Sequence, residues 1–193
     1  MVTSKGEATK RRILDAARSE FAVHGIAGAR VDRIAASANS NKAQIYEHFG
    51  SKDSLFDAVY AEVVEWVVTA VPLNTQPLAD YATALYDAYL EHPEVVRLTT
   101  WNRLERHPVG DLFDDGTDHN AHKVDAVREG QLSGAITRRP DPSDVLSLVT
   151  AMSMAWSPAS PLIAASPHDS EELHSRRRNA LRLAVGRAFG PGD

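Results

Sequence analysis

An all-α fold is what this 193-residue sequence predicts, and three observations carry that expectation. Apolar residues recur at three- and four-residue spacing in nearly every segment. The period-two alternation of half-buried strands is absent, and clusters of Pro, Gly, Asn and Ser cut the chain into helix-sized pieces. Within that class the pattern predicts a small three-helix N-terminal domain over residues 1–50, followed by a larger helical domain over residues 51–193.

Composition sets the outer limits. With 43% hydrophobic and 24% charged residues the chain has enough apolar mass for a core, and reads as globular rather than disordered or fibrous. It has no cysteine, which excludes a disulfide framework, a thiolate zinc site and a cysteine nucleophile. Residues 1–10 are polar and lack an apolar run, and no later run is long enough to span a membrane, so a cytoplasmic location is expected. The formal net charge of −5 argues against a polyanionic partner until its distribution is considered. Residues 1–60 carry nine Lys and Arg against seven Asp and Glu, a net of +2, and the remainder carries −7. An anion-facing module on an acidic body has that asymmetry.

The N-terminal helices follow in order. Ile13, Leu14, Ala17 and Phe21 form one stripe, with Thr9 as its expected N-cap and Gly25 at the expected left-handed end. A second helix over about Arg30 to Ala38 carries Val31, Ile34, Ala35 and Ala38 on one face. Asn39, Ser40 and Asn41 are turn residues, since Asn tolerates positive φ and Asn or Ser caps a following helix. A third helix runs from Lys42 to about Phe49, and Ser51 caps a long fourth one toward Val71. Lys5, Lys10, Arg11 and Arg12 read as a solvated face rather than a groove-entering arm.

The later helices are marked by their breakers. Leu78 to Glu91 follows Pro77, and His92-Pro93 opens a helix carrying Val95, Val96, Leu98, Trp101 and Leu104. Residues 107–117 read as a loop, and a helix is expected from about Asp118 to Leu132. Pro140 to Pro142 starts a helix spanning Val145 to Trp156. The last helix, about Ser170 to Phe189, places Leu173, Ala180, Leu181, Ala184, Val185 and Ala188 on its apolar face.

Function is legible in one ordered run. Three short helices with a tight turn before the third outline a helix-turn-helix, and within it stand Ile34-Ala35, Tyr46, His48-Phe49, Lys52 and Leu55. This run resembles the DNA-binding domain of the TetR (tetracycline-repressor-like) family over about residues 9–60. The resemblance implies a sequence-specific transcriptional regulator, a repressor by the family's habit, with double-stranded DNA as its partner. A third helix entering the major groove brings Gln44 to adenine and Lys42 to guanine or phosphate, with Asn41 beside them. Tyr46, His48 and Lys52 suit phosphates, which fix orientation rather than sequence. Three positions depart from the family pattern: Asn39 replaces a usual Gly, Ser40 a small apolar plug and Arg30 a usual Thr. Arg30 offers a charge-assisted phosphate contact instead of a hydroxyl one.

The resemblance also implies that the C-terminal helices form a homodimer matched to a palindromic operator and enclose a small-molecule effector. For a largely apolar effector the expected lining is Trp66, Tyr86, Tyr89, Trp101, Met152 and Trp156, with Arg97 and His122 as polar anchors. Plain core is the competing explanation for these apolar residues. No cofactor, catalytic residue or metal is expected. His119 and His122 stand three apart near Asp111, Asp114, Asp115 and Asp118, but the spacing is no zinc signature, and a solvated acidic loop accounts for it.

Overall fold

A computed structural model describes residues 4–73, 77–107 and 118–191, and the side chains from Gly6 onward. Asp111, Asp114 and Asp115, and the side chain of Lys5, lie outside the described residues. Among these residues there are nine helices and no strand. They are α1 (Ser4–Gly28), α2 (Val31–Ser37), α3 (Lys42–Phe49), α4 (Lys52–Thr69), α5 (Leu78–Glu91), α6 (Pro93–Arg106), α7 (Ala121–Ser133), α8 (Pro142–Ser153) and α9 (Glu171–Phe189). The chain divides into two compact units, residues 1–66 with 97–114, and residues 67–96 with 115–193.

In the first unit, Ile13, Ala17 and Phe21 of α1 are fully buried, together with Ile34, Ile45, Leu55, Phe56 and Val59. Phe21 and Phe56 meet edge to face at 5.2 Å. Thr9 does not cap α1: the helix is already formed at Ser4, because Lys5 to Ala8 contain no breaker strong enough to delay it, and Thr9 is almost buried within it. Gly25 has φ 72° and ψ −178°, a combination essentially restricted to glycine, and the helix kinks there before running on to Gly28.

The α2–α3 turn follows its side chains closely. Asn39 takes φ 47°, Asn41 is extended, and the Asn41 carboxamide oxygen accepts from Gln44 N at 2.9 Å as the N-cap of α3. Ser51 Oγ accepts from Ser54 N at 3.0 Å, ordering the first turn of α4. Residues 97–106 of α6 also belong to this unit, with Leu98 fully buried and the Arg106 guanidinium 4.8 Å over the Phe56 ring.

In the second unit α5 packs along α9 and α8, and α7 packs against α8. Tyr81, Ala82, Leu85, Val127, Val145, Val149, Leu181 and Val185 are buried in its core. Asp141 caps α8 by accepting from Ser143 N at 2.9 Å, with Pro142 at the first helical position. The helix ends at Ser153, so Met154 to Trp156 form a turn rather than the expected last helical turn. Ser170 caps α9. The buried line of α9 is His174, Arg177, Leu181, Val185 and Phe189, whereas Ala180, Ala184 and Ala188 are exposed. The expected stripe is therefore rotated. Arg177 is tolerated inside because Asp169 meets its guanidinium at 2.6 Å.

Candidate nucleic-acid interface

The first unit presents α3 as an exposed element held from below by one side chain, Ile45. Asn41, Lys42, Ala43, Gln44, Tyr46, Glu47 and His48 are all exposed, an uncommon concentration of polar and aromatic groups on a helix of eight residues. Tyr46 is 46% exposed, far more than an aromatic chosen for packing would be. His48 has its ring 6.2 Å from that of Phe49. The groups that suit phosphate and the groups that suit base edges thus share one solvent-facing helix.

Neighbours hold the remaining predicted contacts. The Lys42 ammonium pairs with Asp32, whose carboxylate also lies 3.7 Å from the Arg30 guanidinium. Arg30 donates its backbone N–H to Glu20 at 2.8 Å, and Arg33 donates to the same carboxylate at 2.8 Å. Burial pushes the Glu20 carboxyl up, but the bonds from Arg33 and Arg30 outweigh it and hold it below the ordinary carboxylate range. Gln44 accepts at its side-chain oxygen from Ser40 Oγ at 2.8 Å. Lys52 donates to the carbonyls of Ala27 at 3.1 Å and Ala29 at 3.3 Å, so its ammonium ties the start of α4 to the end of α1.

The residues expected to line an effector pocket are divided between the two units of the chain. Trp66, Arg97 and Trp101 fall in the first unit, where Trp101 Nε1 donates to Ala22 O at 3.4 Å and Arg97 is exposed. Tyr86 and Trp156 meet edge to face at 5.9 Å in the second unit, and Tyr86 hydroxyl pairs with His174 Nδ1 at 2.7 Å. Tyr89 is buried and its phenol is pushed up to about 12 by that burial. Met152 is half-buried and His122 is exposed.

The second unit does contain a cavity, of about 700 Å³, at the start of α5, the C-terminal half of α7 and the end of α9. Leu73, Leu78, Ile136, Val185 and Phe189 supply apolar walls, and among the described residues Glu129 is the one ionisable group on its lining. Sequence reasoning missed this cavity because its walls are small and aliphatic, whereas the aromatics that drew attention are packed elsewhere. It also missed Lys123, next to the anchor His122. Lys123 is 3% exposed, donates to Val67 O at 2.9 Å, and has its ammonium pushed down by burial. Its place in the buried line Lys123, Val127, Gln131 was the available signal. Among the described residues no cluster of three metal-ligating side chains occurs, and His119 precedes α7 in a turn.

Comparison with known proteins gives this geometry a lineage. Residues 13–59 match the family described as bacterial regulatory proteins, tetR family, and residues 77–187 match the tetracyclin repressor-like C-terminal domain. The HTH-type transcriptional repressor SCO4008 of Streptomyces coelicolor is 37% identical, covering 97% of this chain and 100% of its own. The HTH-type transcriptional repressor NicS of Pseudomonas putida is 32% identical over 53% of this chain and 51% of its own. Among solved structures, the Streptomyces coelicolor transcriptional regulator SCO4942 superposes with a TM-score of 0.78 at 35% identity, covering 95% of this chain and 99% of that one. Salmonella enterica GusR shares the fold, with a TM-score of 0.69 at 22% identity over 96% of this chain and 97% of its own. This chain belongs to the TetR family of helix-turn-helix, DNA-binding transcriptional repressors.

Proposed function

We propose that this protein represses transcription by binding a palindromic operator as a homodimer, and that a small, largely apolar effector releases it. The observation that carries the reading is the exposure of α3, on which Gln44, Tyr46 and His48 stand free of the core. Residues 1–50 act in this reading as the DNA-binding domain, with Arg30, Asn41, Lys42 and Lys52 as further contacts. Lys42 and Lys52 must exchange or share their present partners to reach phosphate.

Two features of the second unit support the rest. Leu148 of α8 and Leu183 of α9 are 50% and 54% exposed, and Ala151, Ala180 and Ala184 are exposed with them. Small and leucine side chains on two helices suit close packing against a second copy. The cavity beside α7 and α9 is large enough for a drug-sized molecule and lined mainly by apolar groups, so it is the effector site this reading favours over the aromatic set. An effector acts only if it prefers the DNA-incompetent arrangement. Helix α4, whose residues are shared between the two units, is the element through which such a preference is transmitted.

The test is equilibrium binding of the full chain to duplexes selected from random sequence, followed by addition of apolar compounds. Enrichment of a two-fold symmetric site and its release by a compound support the reading. Release that survives filling of the cavity by Ala126→Trp removes the cavity from it, and failure to enrich any sequence removes the operator.

A further inference from the structure

Helix α3 carries its candidate base-reading side chain in an unusual hold. Gln44 is fixed at both ends of the residue: its backbone N–H donates to Asn41 Oδ1 at 2.9 Å, and its side-chain oxygen accepts from Ser40 Oγ at 2.8 Å. Ser40 is itself fixed, since its own N–H donates to Ala35 O at 2.9 Å across the turn that Asn39 makes with φ 47°. The serine is half-buried and the glutamine exposed, so the contact runs from the body of the unit outward to a solvent-facing amide.

We propose that Ser40 is a positioning residue for base recognition, holding the Gln44 amide in place so that its donor and acceptor pair meets adenine in preference to guanine. The inference rests on the reading of α3 as the element that enters the groove. A free glutamine has three rotatable bonds, and its amide turns over to present either two donors or a donor and an acceptor. With one lone pair of Oε1 taken by the serine hydroxyl, the second lone pair and the Nε2 hydrogens stay outward. That donor and acceptor pattern matches N7 and the N6 amino group of adenine, whereas guanine sets its O6 acceptor against the held oxygen. Turned over, the amide donates from Nε2 to the serine oxygen instead, so Ser40 holds the group in place at the base edge in either sense, and the preference for adenine is that of the amide's own donor and acceptor pair. By keeping that pair in register with the base edge the hydroxyl sharpens the discrimination without touching a base, and it also reduces the freedom that Gln44 loses on binding.

The experiment compares binding sites selected from random duplexes by the full-length chain and by Ser40→Ala, Ser40→Thr, Gln44→Ala and the Ser40→Ala/Gln44→Ala double variant, each first shown to be folded by its melting transition. The alanine variant keeps the backbone bond from residue 40 to Ala35. Gln44→Ala is expected to abolish preference at one base pair per half-site, an adenine pair. Ser40→Ala is expected to lower adenine-over-guanine discrimination at that pair by about three- to tenfold, as losing one hydrogen bond would. The dependence of affinity on salt stays as in the parent because no phosphate contact is lost. Ser40→Thr retains the hydroxyl and retains the preference. In the Gln44→Ala background, Ser40→Ala changes nothing further, since its effect passes through the glutamine.

Full discrimination in folded Ser40→Ala, or an effect of Ser40→Ala that adds to that of Gln44→Ala, overturns the inference alone. A Gln44-dependent pair that is not adenine overturns the base contact assigned to the amide and the inference with it. Unaltered base preference in Gln44→Ala overturns the underlying reading of α3 and the inference with it.

Discussion

Glu105 closes its carboxylate over Gly25, accepting from Ile26 N at 3.1 Å and from Ala27 N at 2.6 Å. The kink at Gly25 frees these two N–H groups from the helix, and a carboxylate 79 residues further along satisfies them. A Cβ on residue 25 would lie 2.3 Å from Glu105 Oε1 and 3.0 Å from the Trp101 ring. Gly25→Ala therefore adds backbone strain of about 1–3 kcal/mol to the loss of a charge-assisted cap worth roughly 1.5–3 kcal/mol. Denaturant unfolding is expected to show a loss of several kcal/mol in Gly25→Ala and a smaller loss in Glu105→Gln. The double variant is expected to lose less than the sum of the two, because both act on the same cap.

Lys52 supplies a second long-range tie in the same unit. Its ammonium sits on the carbonyls of Ala27 and Ala29, at the negative end of α1. Lys52→Met is expected to lower stability by about 1 kcal/mol, the usual worth of such bonds, and to lower affinity for all duplexes alike. Thermal melting and site selection together check this: an altered base preference would place Lys52 at a base rather than at the backbone.

The carboxylates give the pH dependence its sign. Asp169 is held below the ordinary carboxylate range by the Arg177 guanidinium and the Ser166 N–H, and Glu171 by the Arg178 guanidinium. Glu20 is held down as well, its bonds to Arg33 and Arg30 overcoming its burial. A carboxyl whose folded value lies below its unfolded one contributes stability that is full above the unfolded value. That contribution is lost as pH falls through the folded value. Unfolding free energy is thus expected to hold level down to about pH 5 and to fall below about 4.5, the ordinary carboxyl range. Urea titrations should show Glu20→Gln to be less stable at pH 7 but with a shallower acid decline; a decline as steep as the parent's would show that Glu20 takes no part.

The proposed dimer makes a separate demand. Leu148→Asp or Leu183→Asp places a charge on the half-exposed α8 and α9 faces, and sedimentation velocity is expected to show a monomer. Operator affinity should fall by tenfold or more as the two-headed contact is lost. The monomer should stay folded, since neither leucine belongs to the core.

What the sequence disclosed, and what it did not, follows from the range of the forces involved. Asn39, Asn41 and Ser51 act on backbone groups within a few residues, so their turn and caps could be read directly. The order Ile34-Ala35, Tyr46, His48-Phe49, Lys52, Leu55 gave the family. The partners of Glu20 and Glu105 could not be read, since nothing local marks a carboxylate that will meet N–H groups 10 or 79 residues away. The phase of α9 was misplaced because Arg177 looks polar until Asp169 neutralises it inside. On α7, His122 drew attention while its neighbour Lys123 went inward, a difference of 100° that residue type does not reveal.

The central claim is that α3 reads duplex DNA, and selection of bound sequences from random duplexes by the full chain, with affinities taken across a range of salt, tests it most directly. The expected result is one two-fold symmetric sequence, bound with steep salt dependence and lost when Tyr46, Gln44 and His48 are replaced together by alanine. Equal recovery of all sequences, or a selected sequence bound unchanged by that triple variant, would contradict it.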